Sequence, residues 1–104
     1  MISVGLYYEV KAGREKEFEE AFRSVREQLA KSDGLTLAHL YKRVDKPNSY
    51  QVYSEWKSLE HFRRFISSEA FKSVTRTGLE LLESLPRNKV YELLGSFDET
   101  SKVS

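Results

Sequence analysis

The chain has 104 residues, 39% apolar and 32% charged, and its 17 basic and 16 acidic side chains leave a formal net charge of +1. This length fits one domain with a modest core, and the mixed charges form no basic stripe for nucleic acid. The absence of cysteine excludes disulfides, thiolate metal sites and cysteine nucleophiles. We see no secretion signal and no apolar run near the ~18 residues of a membrane span. We therefore expect a cytoplasmic protein with neither nucleic-acid nor membrane partners.

Apolar periodicity predicts the elements of the first half of the chain. Residues 2–10 alternate between two faces, which is typical of a strand. Residues 14–31 carry apolar side chains at spacings of four and three, which predicts a helix. Residues 35–44 and 49–56 form the second and third predicted strands. The short polar connection between them indicates a hairpin.

A second helical region follows the hairpin. Ser58 is a plausible N-cap for it, and Ser67 with Ser68 interrupts it. Ser68 caps a further segment, whose apolar stripe continues as far as Leu85. Pro86 prevents any continuation, because proline lacks the backbone donor that a helix interior needs.

Residues 88–95 give the last predicted strand, so the order of elements is βαββαβ. This order predicts one ferredoxin-like α+β domain over residues 1–95, with an antiparallel sheet and helices on one face. Residues 96–104 form a polar C-terminal tail. The sheet face opposite the helices carries too many tyrosines to stay open to water, and a second copy of the chain is the simplest cover for it. These partner-facing tyrosines are Tyr7, Tyr53 and Tyr91.

Three segments, residues 7–13, 50–58 and 68–71, resemble the antibiotic biosynthesis monooxygenase domain. The resemblance covers about residues 2–95. It implies a dimeric α+β barrel, in which two ferredoxin-like sheets pack face to face, and a pocket between each sheet and its own helices. Enzymes of the family include cofactor-independent oxygenases of polycyclic phenols, quinol monooxygenases and haem-degrading enzymes.

The implied pocket would take a small, flat, apolar or aromatic ligand. Tyr8 alternates with Leu6 and therefore faces the helices with it, while Trp56 closes the third strand. The apolar side chains along the second helical region are expected to belong to the core and also to form the roof of the pocket. We expect the following substrate-binding residues: Leu6, Tyr8, Trp56, Phe62, Phe65, Ile66, Phe71 and Thr75.

His39 is the candidate catalytic residue. It shares a predicted strand face with Leu35, Leu37 and Tyr41, and a histidine in such a row is a potential base near neutral pH. The alternative is a hydrogen-bonded structural histidine at the dimer barrel or a strand end. His61 lies beside the apolar helical stripe and reads as a boundary residue. Neither histidine has further ligands at metal-binding spacing, so we expect no metal site.

The resemblance also bears on cofactors. The haem-degrading branch relies on an asparagine, a tryptophan and an iron-ligating histidine, and the matching positions here are Leu6, Phe65 and Thr75. None of these side chains supplies that chemistry, which disfavours haem. We expect a cofactor-independent monooxygenase of a polycyclic or quinol-type substrate. The alternative is a non-enzymatic dimeric module that binds a small ligand or acts in a stress response.

Overall fold

The computed structural model describes residues 1–95, which form a four-stranded antiparallel sheet and three α-helices. The expected tail, residues 96–104, lies outside the described residues. The strands are β1 (Ile2–Glu9), β2 (Leu35–Lys42), β3 (Ser49–Trp56) and β4 (Arg87–Glu92), and the helices are α1 (Glu15–Ala30), α2 (Leu59–Ile66) and α3 (Glu69–Gly78). A short 3₁₀ turn, Leu79–Leu81, follows α3. None of the helices in this part of the chain has the length and apolar character to cross a membrane.

The strand order across the sheet is β2-β3-β1-β4, with every neighbouring pair antiparallel. This order confirms the predicted ferredoxin-like α+β fold. In the central pair, Val4 lies opposite Ser54 and Tyr8 lies opposite Tyr50. Because side chains alternate along a strand, these four residues share the face that the helices cover.

Two serines begin the helices after the hairpin, as the sequence predicts. Ser58 Oγ accepts a hydrogen bond from the backbone N–H of His61 at 3.3 Å, and Ser68 Oγ accepts one from that of Phe71 at 3.2 Å. A hydroxyl that satisfies a free backbone donor in this way stabilises a helix start by roughly 1 kcal/mol. The break between α2 and α3 therefore lies where the two consecutive serines predicted it.

The core lies between the sheet and the helices in two clusters. The larger buries Trp56 and Val4 against aromatic residues of α2, and the smaller is centred on Val10 and Phe18. Trp56, Val4 and Val10 are fully buried. Together they fix the first and third strands, which carry most of the site described below.

Two predictions drawn from the apolar pattern are wrong. An irregularity in β2 between Leu35 and Leu37 places Leu35 opposite Trp56 on the helix side, whereas Leu37 lies opposite Glu55 on the other face. An extra residue at a bulge reverses the alternation, so the four predicted residues of that row do not share one face.

The apolar stripe after Gly78 does not continue a helix. Leu82 forms an isolated bridge with Val10 instead, and Lys11 donates a backbone hydrogen bond to Leu81 at 2.8 Å. Leu85 is 76% exposed. The chain has to return from the helix layer to the sheet here, and pairing with the end of β1 satisfies its backbone groups better than another helical turn.

Candidate functional site

A cavity of about 80 Å³ lies between the helix-facing side of the sheet and the three helices. Strands β1 and β3 form its floor, and the helices with the 3₁₀ turn form its walls and roof. Its surface is mostly aliphatic and aromatic, with a few polar side chains. Of the residues expected to bind a substrate, the structure brings these together around the cavity: Leu6, Tyr8, Trp56, Phe62, Phe65, Phe71 and Thr75.

Two of the predicted site residues lie elsewhere. Ile66 packs against the larger core cluster without lining the cavity. His39 projects from the opposite face of the sheet, where it lies across from Tyr53 and its ring contacts Tyr41 at a centroid distance of 5.9 Å. The prediction that His39 is a base in this cavity is therefore wrong. Side chains alternate along β2, and the position of His39 in that alternation directs its side chain away from the helices.

Tyr8 brings a phenol into the apolar cavity. Its ring packs against Phe18 at a centroid distance of 5.4 Å, and its hydroxyl has no hydrogen-bond partner among the residues whose side chains are described. Burial raises the pKa of Tyr8 to about 12. The phenol therefore remains protonated at neutral pH, where it serves as a hydrogen-bond donor and not as a base.

Ser54 lines the cavity two residues before Trp56 on β3. The indole Nε1–H of Trp56 donates to Ser54 Oγ at 2.9 Å, so the tryptophan has its polar partner within the protein. Ser54 was not among the residues expected to bind a substrate. The alternation of β3 was the available signal, because it places position 54 on the same face as Val52 and Trp56.

Ionisable chemistry is sparse in the cavity. Among the described residues that line it, Tyr8 is the only titratable side chain. The described part of the chain also holds no group of three or more histidine, aspartate or glutamate side chains placed to bind a metal ion. Among the described lining residues, the cavity wall therefore offers one phenol and no carboxylate or imidazole.

His61 belongs to a separate polar cluster at the start of α2. Its Nδ1 lies 2.7 Å from Ser58 Oγ, and its Nε2 lies 3.6 Å from the carboxylate of Asp33. The ring packs directly on Gly34, whose φ of +84° belongs to the left-handed region. These contacts join the loop after α1 to the start of α2 outside the cavity. A structural role for this polar cluster therefore explains it, and no ligand is needed.

Comparison with known proteins fits this architecture. The sequence profile of the antibiotic biosynthesis monooxygenase family matches residues 1–77. The crystal structure of SnoaB, a cofactor-independent oxygenase from Streptomyces nogalater, is 24% identical with a TM-score of 0.81, and the match covers 94% of this chain and 97% of that one. A conserved protein from Methanosarcina mazei is 24% identical with a TM-score of 0.82, over 86% of this chain and 89% of that one.

Curated relatives come from haloarchaea. Proteins named "Putative heme-binding protein" from Natronomonas pharaonis and Halobacterium salinarum are 31% and 30% identical over 86 residues, which is 83% of this chain. The matched part is only 14% and 18% of the length of those relatives, respectively. The family profile spans well over half of the present sequence, and the sheet order and cavity agree with it. The chain belongs to the antibiotic biosynthesis monooxygenase family.

Proposed function

We propose that this protein is a cofactor-independent monooxygenase of a small aromatic substrate, of the polycyclic phenol or quinol type. The observation that carries the proposal is the apolar cavity with a protonated Tyr8 phenol in its wall. Such a cavity excludes water from a bound ring system. It also offers a hydrogen bond to an oxygen atom on which negative charge develops.

The chemistry needs little from the protein. An anthrone-type substrate loses a proton from its CH₂ group to solvent base while the entrance of the cavity is still open, and it becomes an enolate, whose oxygen accepts the hydrogen bond of Tyr8. The carbanionic carbon passes electrons to O₂, a C–O bond forms, and the resulting peroxide anion takes up a proton to become a hydroperoxide. Loss of water then breaks the O–O bond and leaves a C=O group. Overall the CH₂ group and O₂ give C=O and H₂O, which balances atoms and electrons.

The size of the cavity limits which substrates enter without movement. Its volume of about 80 Å³ is well below the roughly 300–1,000 Å³ of pockets for drug-sized ligands. Among the side chains described for α3, none is buried. Of the three helices that line the cavity, α3 is thus the one with the fewest buried side chains, and we expect it to move outward when a bicyclic or tricyclic ring enters.

Oxygen uptake with an anthrone and a quinol panel tests the proposal. We expect quinone formation above the buffer rate by wild type, and its loss in Ala21→Phe, which fills the cavity from α1. Ala30→Phe is the matched control, because Ala30 is exposed at the end of the same helix. A wild-type rate equal to buffer for the whole panel, or equal rates in the two variants, would contradict the proposal.

One observation favours a second candidate, a non-enzymatic binding module. The described wall of the cavity offers no proton acceptor with a pKa near neutrality, so the same geometry also suits simple ligand storage or sensing. This candidate predicts an aromatic ligand that stays bound through purification and is unchanged under oxygen. Mass spectrometry of the denatured protein before and after aeration separates the two candidates.

The cavity does not fit a haem. Haem iron takes an axial histidine, cysteine, methionine or tyrosinate, and Tyr8 is the only such residue among the described lining residues. Its ring packs against Phe18 in a cavity of about 80 Å³, well below the roughly 300–1,000 Å³ of pockets for drug-sized ligands, so this structure leaves no room for a haem beside it. We expect no absorbance band of bound haem on titration with haemin, although the curated relatives carry that group in their names.

We further propose that two chains pack through the sheet faces that the helices leave uncovered. Tyr7, Tyr41, Tyr53 and Tyr91 project from this face, and Tyr41 and Tyr91 are each 51% exposed. Family resemblance supports a homodimer, which would cover these rings. Light scattering should give the mass of two chains for wild type and of one chain for Tyr41→Arg. A helix-face control, Gln28→Arg, should stay dimeric; a wild-type monomer would contradict the proposal.

A further inference from the structure

Ser54 is a buried polar side chain in the floor of the apolar cavity. It lies in the middle of β3, is 2% exposed and lines the cavity beside the indole of Trp56. The Trp56 ring is itself fixed, because it packs against Phe62 and Phe65 at centroid distances of 5.7 and 5.3 Å. The Trp56 Nε1–H therefore reaches Ser54 Oγ from a defined direction, at 2.9 Å.

The hydrogen-bonding capacity of Ser54 is only partly used. A serine hydroxyl donates one hydrogen bond and accepts two, and the bond from Trp56 occupies one acceptor position. Among the side chains and backbone groups that the structure describes, none accepts the Ser54 proton. Buried donors in folded proteins almost always have partners. The cavity is the place from which a partner for this proton can come.

We propose that Ser54, oriented by Trp56, is a specificity-determining residue that donates a hydrogen bond to an acceptor oxygen of the ligand. This inference rests on the proposed function, since it assumes that the cavity is the ligand site. The hydrogen bond from Trp56 directs an acceptor lone pair of Ser54 Oγ toward the indole, so the hydroxyl proton of Ser54 points away from the indole. The site therefore distinguishes a ring that carries a carbonyl or phenolate oxygen from the same ring without it.

The position of Ser54 relative to Tyr8 defines the shape of the preferred ligand. Ser54 lies opposite Val4 and Tyr8 lies opposite Tyr50, so the two donors are four residues apart along the paired strands. At about 3.3 Å per residue this is a separation of about 13 Å between their backbone positions. The wall between them is apolar. The geometry suits a flat, fused-ring molecule with an acceptor oxygen toward each end.

A pair of unreactive probes measures the discrimination directly. 1-Tetralone and tetralin share one bicyclic skeleton, and only the ketone carries an oxygen. Trp56 is the single tryptophan of the chain, so its indole N–H gives one identifiable NMR signal for both titrations. We expect wild type to bind the ketone about 2- to 12-fold more tightly than the hydrocarbon, the range for one net hydrogen bond. Because Tyr8 is a second donor in the cavity, the comparison is repeated in the Tyr8→Phe background, where we expect the preference to disappear on Ser54→Ala.

Ser49→Ala is the matched control. Ser49 lies on the same strand and is similarly buried, but its hydroxyl donates to Glu9 on the opposite face of the sheet. If Ser54→Ala does not fold, Ser54→Cys takes its place, because a thiol has nearly the same shape and is a weak donor. A changed chemical shift of the Trp56 indole N–H in either Ser54 variant, measured without ligand, reports loss of the hydrogen bond between residues 54 and 56.

Two results would overturn the inference: no preference for the ketone in wild type, or a preference in the Tyr8→Phe background that survives removal of the Ser54 hydroxyl. Because neither probe is oxidised, these titrations are independent of turnover. Failure of the oxygenase proposal with an intact ketone preference would leave the Ser54 assignment standing. Binding of neither probe would remove the cavity as a ligand site and both proposals with it.

Discussion

Replacing Tyr8 with phenylalanine removes one oxygen atom from the wall of the cavity. The Tyr8 hydroxyl has no partner within the described residues, and the ring contact with Phe18 remains after the substitution. The substitution therefore removes no packing contact of the folded state and leaves no hydrogen-bond donor or acceptor unpaired. We expect the free energy of unfolding to change by less than about 0.5 kcal/mol, the usual range for a substitution away from such features.

Catalysis should respond much more strongly. A hydrogen bond to a charged atom contributes about 1.5–3 kcal/mol, which corresponds to roughly 10- to 150-fold in rate. The burial that raises the Tyr8 pKa to about 12 also lowers the local dielectric, and this places the effect toward the upper end of that range. Charge accumulates on the substrate oxygen only after deprotonation. The loss should therefore fall on kcat, with KM nearly unchanged.

The assay is quinone formation from an anthrone, followed by absorbance and oxygen uptake in parallel. Tyr50→Phe is the matched control, since Tyr50 pairs with Tyr8 across the strands but donates to Glu19 at 2.6 Å and does not line the cavity. A kcat for Tyr8→Phe within twofold of wild type would refute the reasoning. So would an equal loss of kcat in Tyr50→Phe.

Three further predictions concern stability and motion. Gly34→Ala should destabilise the fold more than Gly13→Ala. Both glycines have φ near +85°, but a Cβ at Gly34 would meet the His61 ring, whereas a Cβ at Gly13 would meet open space. Equal losses of unfolding free energy in denaturant would contradict this prediction. The pKa of Glu19 is lowered from 4.5, first by the Tyr50 hydrogen bond and then by Lys42. Its contribution to stability is therefore present above about pH 4.5 and is lost as the pH falls through the lowered value, so the stability gap between wild type and Tyr50→Phe should narrow in acid. Amide hydrogen exchange should be faster in α3 than in β1, and equal protection would argue against the mobile roof.

Alternation along β1 was sufficient to predict where Tyr8 points. Residues 2–10 show an unbroken period of two, and the structure places Leu6, Tyr8 and Val10 on the helix side together. Serine caps and helical spacing likewise predicted α2 and α3, because a cap depends on neighbours within three or four residues. These are local effects, and local sequence carries them.

β2 shows where such reasoning fails. The irregularity between Leu35 and Leu37 depends on how β2 pairs with β3, and this is not encoded in the apolar pattern of β2 alone. Ser54 was missed for a different reason. A serine in a strand is ordinary in sequence, and its interest arises only from a buried hydrogen bond with Trp56 and a neighbouring cavity.

We propose that a substrate bound in this cavity reacts directly with oxygen. Turnover of an anthrone under ¹⁸O₂, with the protein freed of metals by a chelator, tests it most directly. We expect one labelled oxygen in the new carbonyl group, the second in water, and loss of this product in Ala21→Phe but not in Ala30→Phe. Unlabelled quinone, or labelled quinone formed at the same rate by both variants, would contradict it.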